Sequence, residues 1–122
     1  MQPLENIEPP EVLLDGSSSI SVSDRNSHWL VVAKNSRVNR GWQELLKKYP
    51  ENVSRCYEYL RTHPLDRYPG RIFPLKGKKY KGCWEYEVSS GSRVFYYIPD
   101  PENKKVIVYY AGEHPKGKVP TY

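Results

Sequence analysis

The sequence predicts an α+β fold in which two N-terminal helices pack on a mostly antiparallel sheet. Residues 37–62 carry apolar side chains at helical spacing, whereas residues 71–110 contain short alternating or apolar runs that are separated by turn residues. Helices followed by a series of strands are typical of a sheet that is covered by helices on one face. The predicted order is β-α-α followed by three or four strands, and a chain of 122 residues buries such a core without disulfides.

The first element is a buried strand, because residues 29–33 form a short, mostly apolar run that contains β-branched side chains. A helix over residues 37–49 follows, with Asn35 or Ser36 as its N-cap. Its apolar positions recur at i, i+4, i+7, i+8 and i+11, which places them on one face.

The second helix is separated from the first by Tyr49-Pro50, since the residue before a proline avoids helical backbone. It begins near Asn52, ends before Pro64 and carries an apolar stripe of its own. Both helices therefore need a flat apolar surface on which to pack.

Strands in the second half of the chain provide that surface. Residues 84–88 alternate strictly between apolar and polar side chains, as a half-buried strand does. Ser89-Ser90-Gly91 forms the turn that follows, and residues 99–103 form a longer loop rich in proline and acids. The predicted strands span residues 71–75, 84–88, 93–98 and 106–110.

The register of the central hairpin sorts its side chains into two faces. A three-residue turn pairs Glu87 with Arg93 and Val88 with Ser92, whereas a two-residue turn would place Val88 opposite Arg93 and mix the faces, which burial disfavours. One face is then the bed for the helices: Trp84, Tyr86, Val88, Val94, Tyr96 and Ile98. The other interleaves charges with aromatic rings and is the predicted functional face: Glu85, Glu87, Arg93, Phe95 and Tyr97.

Charge is distributed unevenly along the chain. Residues 1–24 contain five acids and no base, and they are interpreted as an acidic, extended segment that precedes an α+β domain over residues 25–122. That domain holds 19 bases and nine acids, and residues 67–84 contain six bases and no acid. The positive electrostatic field of such a domain attracts polyanions, which indicates RNA or an acidic protein as partner. The acidic segment is either a solvated tail or a strap that covers the basic face in cis.

Composition excludes several classes of protein. The longest apolar run, residues 106–111, is far shorter than the roughly 20 residues of a membrane helix. We recognise no secretory signal in the first 24 residues and therefore expect a cytoplasmic protein. Cys56 and Cys83 form no CxxC pair and the three histidines are scattered, so we expect two buried free thiols, no metal and no cofactor.

Two segments of the second half resemble the RelE/ParE-like toxin superfamily. They are residues 87–100, EVSSGSRVFYYIPD, and residues 106–114, VIVYYAGEH, preceded by LKGK at residues 75–78. The resemblance covers residues 27–115 and implies a RelE-like fold, a toxin of a toxin–antitoxin pair and an acidic antitoxin as partner. Members of the RelE-like branch cleave mRNA on the ribosome without a metal, whereas members of the ParE-like branch poison a topoisomerase.

The resemblance also implies roles for individual residues. The arginine of the central hairpin, here Arg93, stabilises the transition-state phosphate, and the residue beyond the last strand's glycine, here His114, transfers a proton. The candidate bases are Lys76, Lys78, Glu85 and Glu87. The predicted RNA contacts are Arg71, Lys76, Lys78, Lys79, Lys81, Phe95, Tyr97 and Tyr109. The family's C-terminal helix with its tyrosine is not expected, because residues 112–118 contain glycine and proline.

Metal-free RNA cleavage needs a base for the 2′-hydroxyl, a cation for the charge on phosphorus and an acid for the leaving 5′-oxygen. Arginine suits the second role, because its planar fork binds phosphate and stays charged. Histidine suits the first or third, since its pKa lies near neutrality. Exposed aromatic rings hold single-stranded RNA by stacking on its bases.

The candidate site residues also have alternative interpretations without a catalytic or binding role. Arg93 and Glu87 would also form an ordinary cross-strand ion pair, which stabilises the hairpin only. The lysine cluster would also serve only to keep its loop in solvent. The second functional hypothesis is accordingly a binding module without catalysis, or a relative of the topoisomerase poisons, on the same fold.

Overall fold

The computed structural model describes residues 11–14, 28–67 and 71–122. In this part of the chain two helices cover a six-stranded sheet of order β1-β2-β6-β5-β4-β3. The strands are β1 (Val12–Leu13), β2 (Leu30–Ala33), β3 (Ile72–Pro74), β4 (Cys83–Ser89), β5 (Ser92–Tyr97) and β6 (Lys105–Glu113), and the helices are α1 (Ser36–Lys48) and α2 (Pro50–Thr62). Only β2 and β6 pair in parallel among the described strands. The predicted α+β class and order are confirmed, with β1 as an additional edge strand.

The helices begin where local chemistry favours them. The Asn35 side chain accepts a hydrogen bond of 3.1 Å from the Val38 amide and so caps α1, as predicted. The second helix begins at Pro50, two residues before the predicted start, because proline is favoured in the first turn of a helix. Asn52 therefore lies inside α2, where its side chain donates a hydrogen bond of 2.8 Å to the Val88 carbonyl of the sheet.

One face of the sheet packs against both helices and forms the main core. Trp42 of α1 and Val53 of α2 are fully buried against it. All six residues predicted for this face belong to the core: Trp84, Tyr86, Val88, Val94, Tyr96 and Ile98. The alternation read from the sequence is thus confirmed for β4 and β5.

The central hairpin reaches the predicted register by a different turn. Glu87 pairs with Arg93 as expected, but the strands then close through Ser89 and Ser92, so the turn has two residues rather than three. Val88 is the extra residue of a β-bulge, and it is fully buried. The predicted pairing of Val88 with Ser92 is wrong, because the bulge absorbs one residue without mixing the faces.

The described part of the acidic segment is extended and lies at the edge of the sheet. Residues 12–13 pair with β2, and Leu14 is buried in the main core. Glu11 forms an ion pair with Lys105, in which Oε1 lies 2.7 Å from Nζ. Residues 1–10 and 15–27 lie outside the described residues, and so does most of the segment predicted to cover the basic face. Since Leu14 belongs to the core, truncation at residue 25 removes part of the fold.

Helix α1 approaches β6 so closely that Gly41 has no room for a side chain. A Cβ at this position would overlap the backbone carbonyl oxygen of Ala111. Replacing Gly41 by alanine should therefore lower the free energy of unfolding by about 1–3 kcal/mol, because strand backbone cannot move aside and the overlap outweighs the gain in helix propensity. Urea unfolding measures the difference.

Gly91→Ala is the matched control, since a Cβ there would meet nothing within 4 Å. Equal stability of Gly41→Ala and the wild-type protein would contradict the close approach of α1 to β6.

Candidate active site

The face of the sheet that points away from the helices, here called the outer face, carries the mixed set of side chains expected from the sequence. On β4 and β5 it consists of Cys83, Glu85, Glu87, Arg93, Phe95 and Tyr97, because alternate residues of a strand point to opposite faces. Its charged side chains lie near the hairpin turn and its aromatic rings lie toward the other end of the strands.

Arg93 is the centre of a charged corner that also contains Glu85 and Glu87. Its Nε donates a hydrogen bond of 3.0 Å to Glu85 Oε2, and Nη1 donates to the carbonyl oxygens of Ser89 at 2.7 Å and Ser92 at 3.0 Å. The bulge and the tight turn bring these carbonyls together. The guanidinium is therefore fixed in one orientation by its own hairpin.

One nitrogen of that guanidinium is held less tightly. Within the described residues Nη2 has no hydrogen bond and lies 4.0 Å from Glu87 Oε2. The Glu87 side chain is 33% exposed, whereas the side chains of Arg93 and Glu85 are 13% and 12% exposed. Glu85 thus positions Arg93, while Glu87 is the most exposed of the three side chains.

His114 lies beside this corner. Its amide donates a hydrogen bond of 2.9 Å to the Gly91 carbonyl, which extends the β5–β6 ladder past Glu113. Because Arg93 pairs with Gly112, His114 is its diagonal neighbour at a Cα distance of roughly 7–8 Å. The imidazole is exposed, and Nδ1 lies 2.9 Å from the Pro115 carbonyl oxygen. The structure therefore groups Arg93 with Glu85 and Glu87 and places His114 next to them on the neighbouring chain segment.

The aromatic half of the outer face is mostly covered. Phe95 is 1% exposed and Tyr109 is 7% exposed, and they pack with Cys83 into a small second core. The expectation that Phe95 stacks on an RNA base is therefore wrong, because its ring is covered by Tyr109 and Tyr110, and Tyr109 is itself covered while Pro120 and Tyr122 lie against it. Tyr97 is only partly buried.

Residues 115–122, here called the tail, lie across that aromatic half without forming a helix, as the glycine and proline content predicts. Tyr80 Oη donates to the Val119 carbonyl at 3.2 Å and Tyr109 Oη donates to the Pro120 carbonyl at 3.0 Å. The Tyr122 ring stacks on the Tyr97 ring, with the centroids 4.2 Å apart. Sequence reasoning missed this arrangement, because an irregular tail has no periodicity.

The predicted basic RNA contacts are divided between the loop before β4 and the sheet edge. Lys79 lines a cleft of about 660 Å³ together with Tyr110 and Lys118 of the tail. Arg71 lies beside the charged corner, since its carbonyl accepts the Glu87 amide at 2.8 Å. Lys76, Lys78 and Lys81 are exposed, and in the described part of the chain no hydrogen bond or ion pair joins them to Arg93. Lys78 is thus part of the basic surface and does not belong to the charged corner.

Two basic residues that the sequence did not single out lie at a second cleft. Lys34 and Arg37, at the start of α1, line a space of about 330 Å³ that shares Tyr110 with the first cleft. The Lys34 Nζ lies 4.6 Å from the centre of the Tyr122 ring. No acidic residue lines either cleft in the described part of the chain.

Both cysteines are free and buried, which confirms the prediction for them. Burial raises the pKa of the Cys56 thiol. Among residues 11–14, 28–67 and 71–122, no three His, Cys, Asp or Glu side chains are grouped so that they could hold a metal ion. Neither of the two described helices is long and apolar enough to cross a membrane.

Comparison with solved structures supports the fold. A structure described as a YoeB/ParE toxin from Agrobacterium tumefaciens is similar over 62% of this chain and 85% of that chain, with a TM-score of 0.50 and 20% sequence identity. The RelE/ParE-like fold that the sequence resembles is thereby confirmed, and at this identity the likeness concerns the fold alone. No protein-family model matches the sequence, and no curated protein matches it.

Buried tyrosines make the stability of this fold sensitive to alkaline pH. Tyr86 and Tyr96 are at most 1% exposed, and burial raises the pKa of both hydroxyls well above their ordinary value of 10.0. The unfolded chain loses these protons near pH 10 and the folded chain keeps them, so stability is complete below pH 10 and falls above it. We expect a loss of about 1.4 kcal/mol per pH unit for each hydroxyl.

Urea unfolding between pH 9 and pH 11 tests this expectation. Tyr96→Phe is the matched variant, because it removes one of the two hydroxyls and should make the decline with pH less steep. Identical slopes for this variant and the wild-type protein would show that Tyr96 ionises equally well in the folded chain.

Proposed function

We propose that this chain is a toxin-like endoribonuclease that cleaves mRNA without a metal, and that Arg93, Glu87 and His114 carry the reaction. The observation that carries the proposal is the charged corner on the outer face, where a fixed guanidinium and a partly exposed carboxylate lie at one hairpin and His114 is bound to the turn of that hairpin through its backbone amide. The similarity of the fold to that of a YoeB/ParE toxin supports the toxin-like assignment.

Arg93 acts on the scissile phosphate in this proposal. Nε and Nη1 are engaged by Glu85 and by hairpin carbonyls, which leaves Nη2 for a phosphoryl oxygen. A prepositioned cation stabilises the charge that develops on the phosphate in the transition state, and it needs no reorganisation during the reaction. Glu85 is a positioning residue, because it orients Arg93 and is almost covered itself.

Glu87 and His114 divide the proton transfers. The Glu87 carboxylate takes the proton of the 2′-hydroxyl, and the 2′-oxygen forms a bond to phosphorus. The bond from phosphorus to the 5′-oxygen breaks, and His114 in its protonated form gives its proton to that oxygen. The products are a 2′,3′-cyclic phosphate and a free 5′-hydroxyl, and no oxidant, reductant or metal takes part.

The basic surface supports RNA as the partner. Arg71 flanks the charged corner, and Lys79 and Lys118 line the larger cleft on the same face. Clusters of this sign bind the RNA backbone and accelerate its approach. In this proposal the substrate is mRNA in the cytoplasm, on the ribosome, and an acidic antitoxin protein controls the activity by covering the same basic surface.

A binding module without catalysis is the second candidate. It is favoured by the burial of Arg93 and by its bonds to its own hairpin, since a purely structural arginine also has such contacts. A relative of the topoisomerase poisons belongs to this class. The two candidates differ in whether RNA is cut.

The experiment is a cleavage assay of the full-length protein on a labelled single-stranded RNA, with EDTA present. Arg93→Lys should lower the rate about 10²–10³-fold, because an ammonium cannot keep the bond to Glu85 and also reach the phosphate. His114→Ala should lower it about 10²–10⁴-fold through loss of the general acid. Mass spectrometry of the products should find the cyclic phosphate.

Arg55→Gln and His63→Ala are the matched controls, since both residues are exposed on or next to α2, away from the outer face. They should cleave at the wild-type rate. Intact RNA with the wild-type protein, together with cleavage of DNA by an added topoisomerase, would instead establish the second candidate.

A further inference from the structure

The tail places an aromatic ring on the aromatic half of the outer face. The Tyr122 ring lies on the Tyr97 ring with an angle of 23° between the planes, and the Tyr109 ring stands nearly perpendicular to the Tyr122 ring, with the centroids 5.9 Å apart. The Lys34 ammonium lies over the same Tyr122 ring at 4.6 Å. The planar Tyr122 ring is thus contacted by one stacked aromatic ring, one perpendicular aromatic ring and an ammonium group.

Two aromatic rings and an ammonium group can also bind a nucleotide of single-stranded RNA. A base stacks on a tyrosine with little preference for its identity, and a lysine ammonium binds either the face of a ring or a phosphate. We propose that Tyr97, Tyr109 and Lys34 form a nucleobase-binding slot, and that Tyr122 occupies this slot until RNA displaces it. This inference rests on the proposed function and adds regulation of the site by the chain's own tail.

The tail is attached in a way that allows displacement. It pairs with none of the described strands, and Tyr80 and Tyr109 donate hydrogen bonds to its backbone at the carbonyls of Val119 and Pro120. No residue of the tail belongs to either core. Val119 and Tyr122 remain 37% and 45% exposed. Lifting the tail therefore leaves the main core under the helices intact.

Cations continue on both sides of the slot. Outside the tail, Lys79 lines the larger cleft, Lys34 and Arg37 line the smaller one, and Tyr110 borders both. A strand whose base enters the slot would have its neighbouring phosphates next to these side chains. The slot on β5 begins four residues after Arg93 on the same face, so that one RNA strand reaches both the slot and the charged corner.

Fluorescence anisotropy with a 12-nucleotide RNA in which every ribose is 2′-O-methylated tests the inference, because this probe binds but cannot be cleaved. Tyr122→Ala in the full-length protein should bind it about fivefold to tenfold more tightly than wild type. The apparent affinity is proportional to the fraction of molecules whose slot is open, and this variant leaves the slot open. Tyr122→Phe keeps the ring and should bind like wild type. Lys34→Gln should weaken binding in the Tyr122→Ala background.

Other outcomes overturn the inference in recognisable ways. Weaker binding by Tyr122→Ala would make Tyr122 part of the RNA platform rather than its competitor. Equal binding by Tyr122→Ala and wild type would leave RNA binding in place and remove only the competition by the tail. An absence of binding by every variant, with thermal unfolding transitions like that of wild type, would end both this inference and the proposed function.

Discussion

The β-bulge at Val88 is the constraint on which the outer face depends. It allows a two-residue turn while Glu87 still pairs with Arg93, so that alternate side chains of both strands keep to their faces. Without the extra residue, a one-residue shift would place Arg93 among the apolar side chains under the helices. Helix α2 reinforces the bulge, because Asn52 binds the Val88 carbonyl. The helical layer and the charged corner thus meet at one residue.

The outer face combines two kinds of chemistry along the same strands. Near the turn, Arg93 is held by Glu85 and by hairpin carbonyls, so its cation has a fixed position. Toward the other end, aromatic rings form a small second core under the tail. In the proposed function, the fixed cation binds a phosphate of a single-stranded RNA and the aromatic rings lie next to it.

Most of the fold could be predicted from the sequence, because periodicity and turn residues are local signals. The helices and the inner face of β4 and β5 depend only on spacing, and they were predicted correctly. The bulge and the burial of Phe95 were not, since both involve residues distant in the chain: Asn52 in one case, Tyr109 and Tyr110 in the other. Of the site, Arg93 and His114 were found by resemblance and register. Lys34 and Tyr122 carry no local signal, because only the folded chain brings them together.

Binding of RNA to the outer face, with Arg93 at its charged corner, is the step on which the proposed function depends. Its most direct test is an NMR titration of the isotope-labelled full-length protein with the 2′-O-methylated RNA, following the Arg93 Nε–H signal and the backbone amides. We expect the largest shifts at Arg93, at residues 89–92 and at His114, with helices α1 and α2 unaffected beyond the first turn of α1. Shifts confined to the exposed sides of the helices, with the Arg93 signal unchanged, would show that RNA does not bind to the outer face.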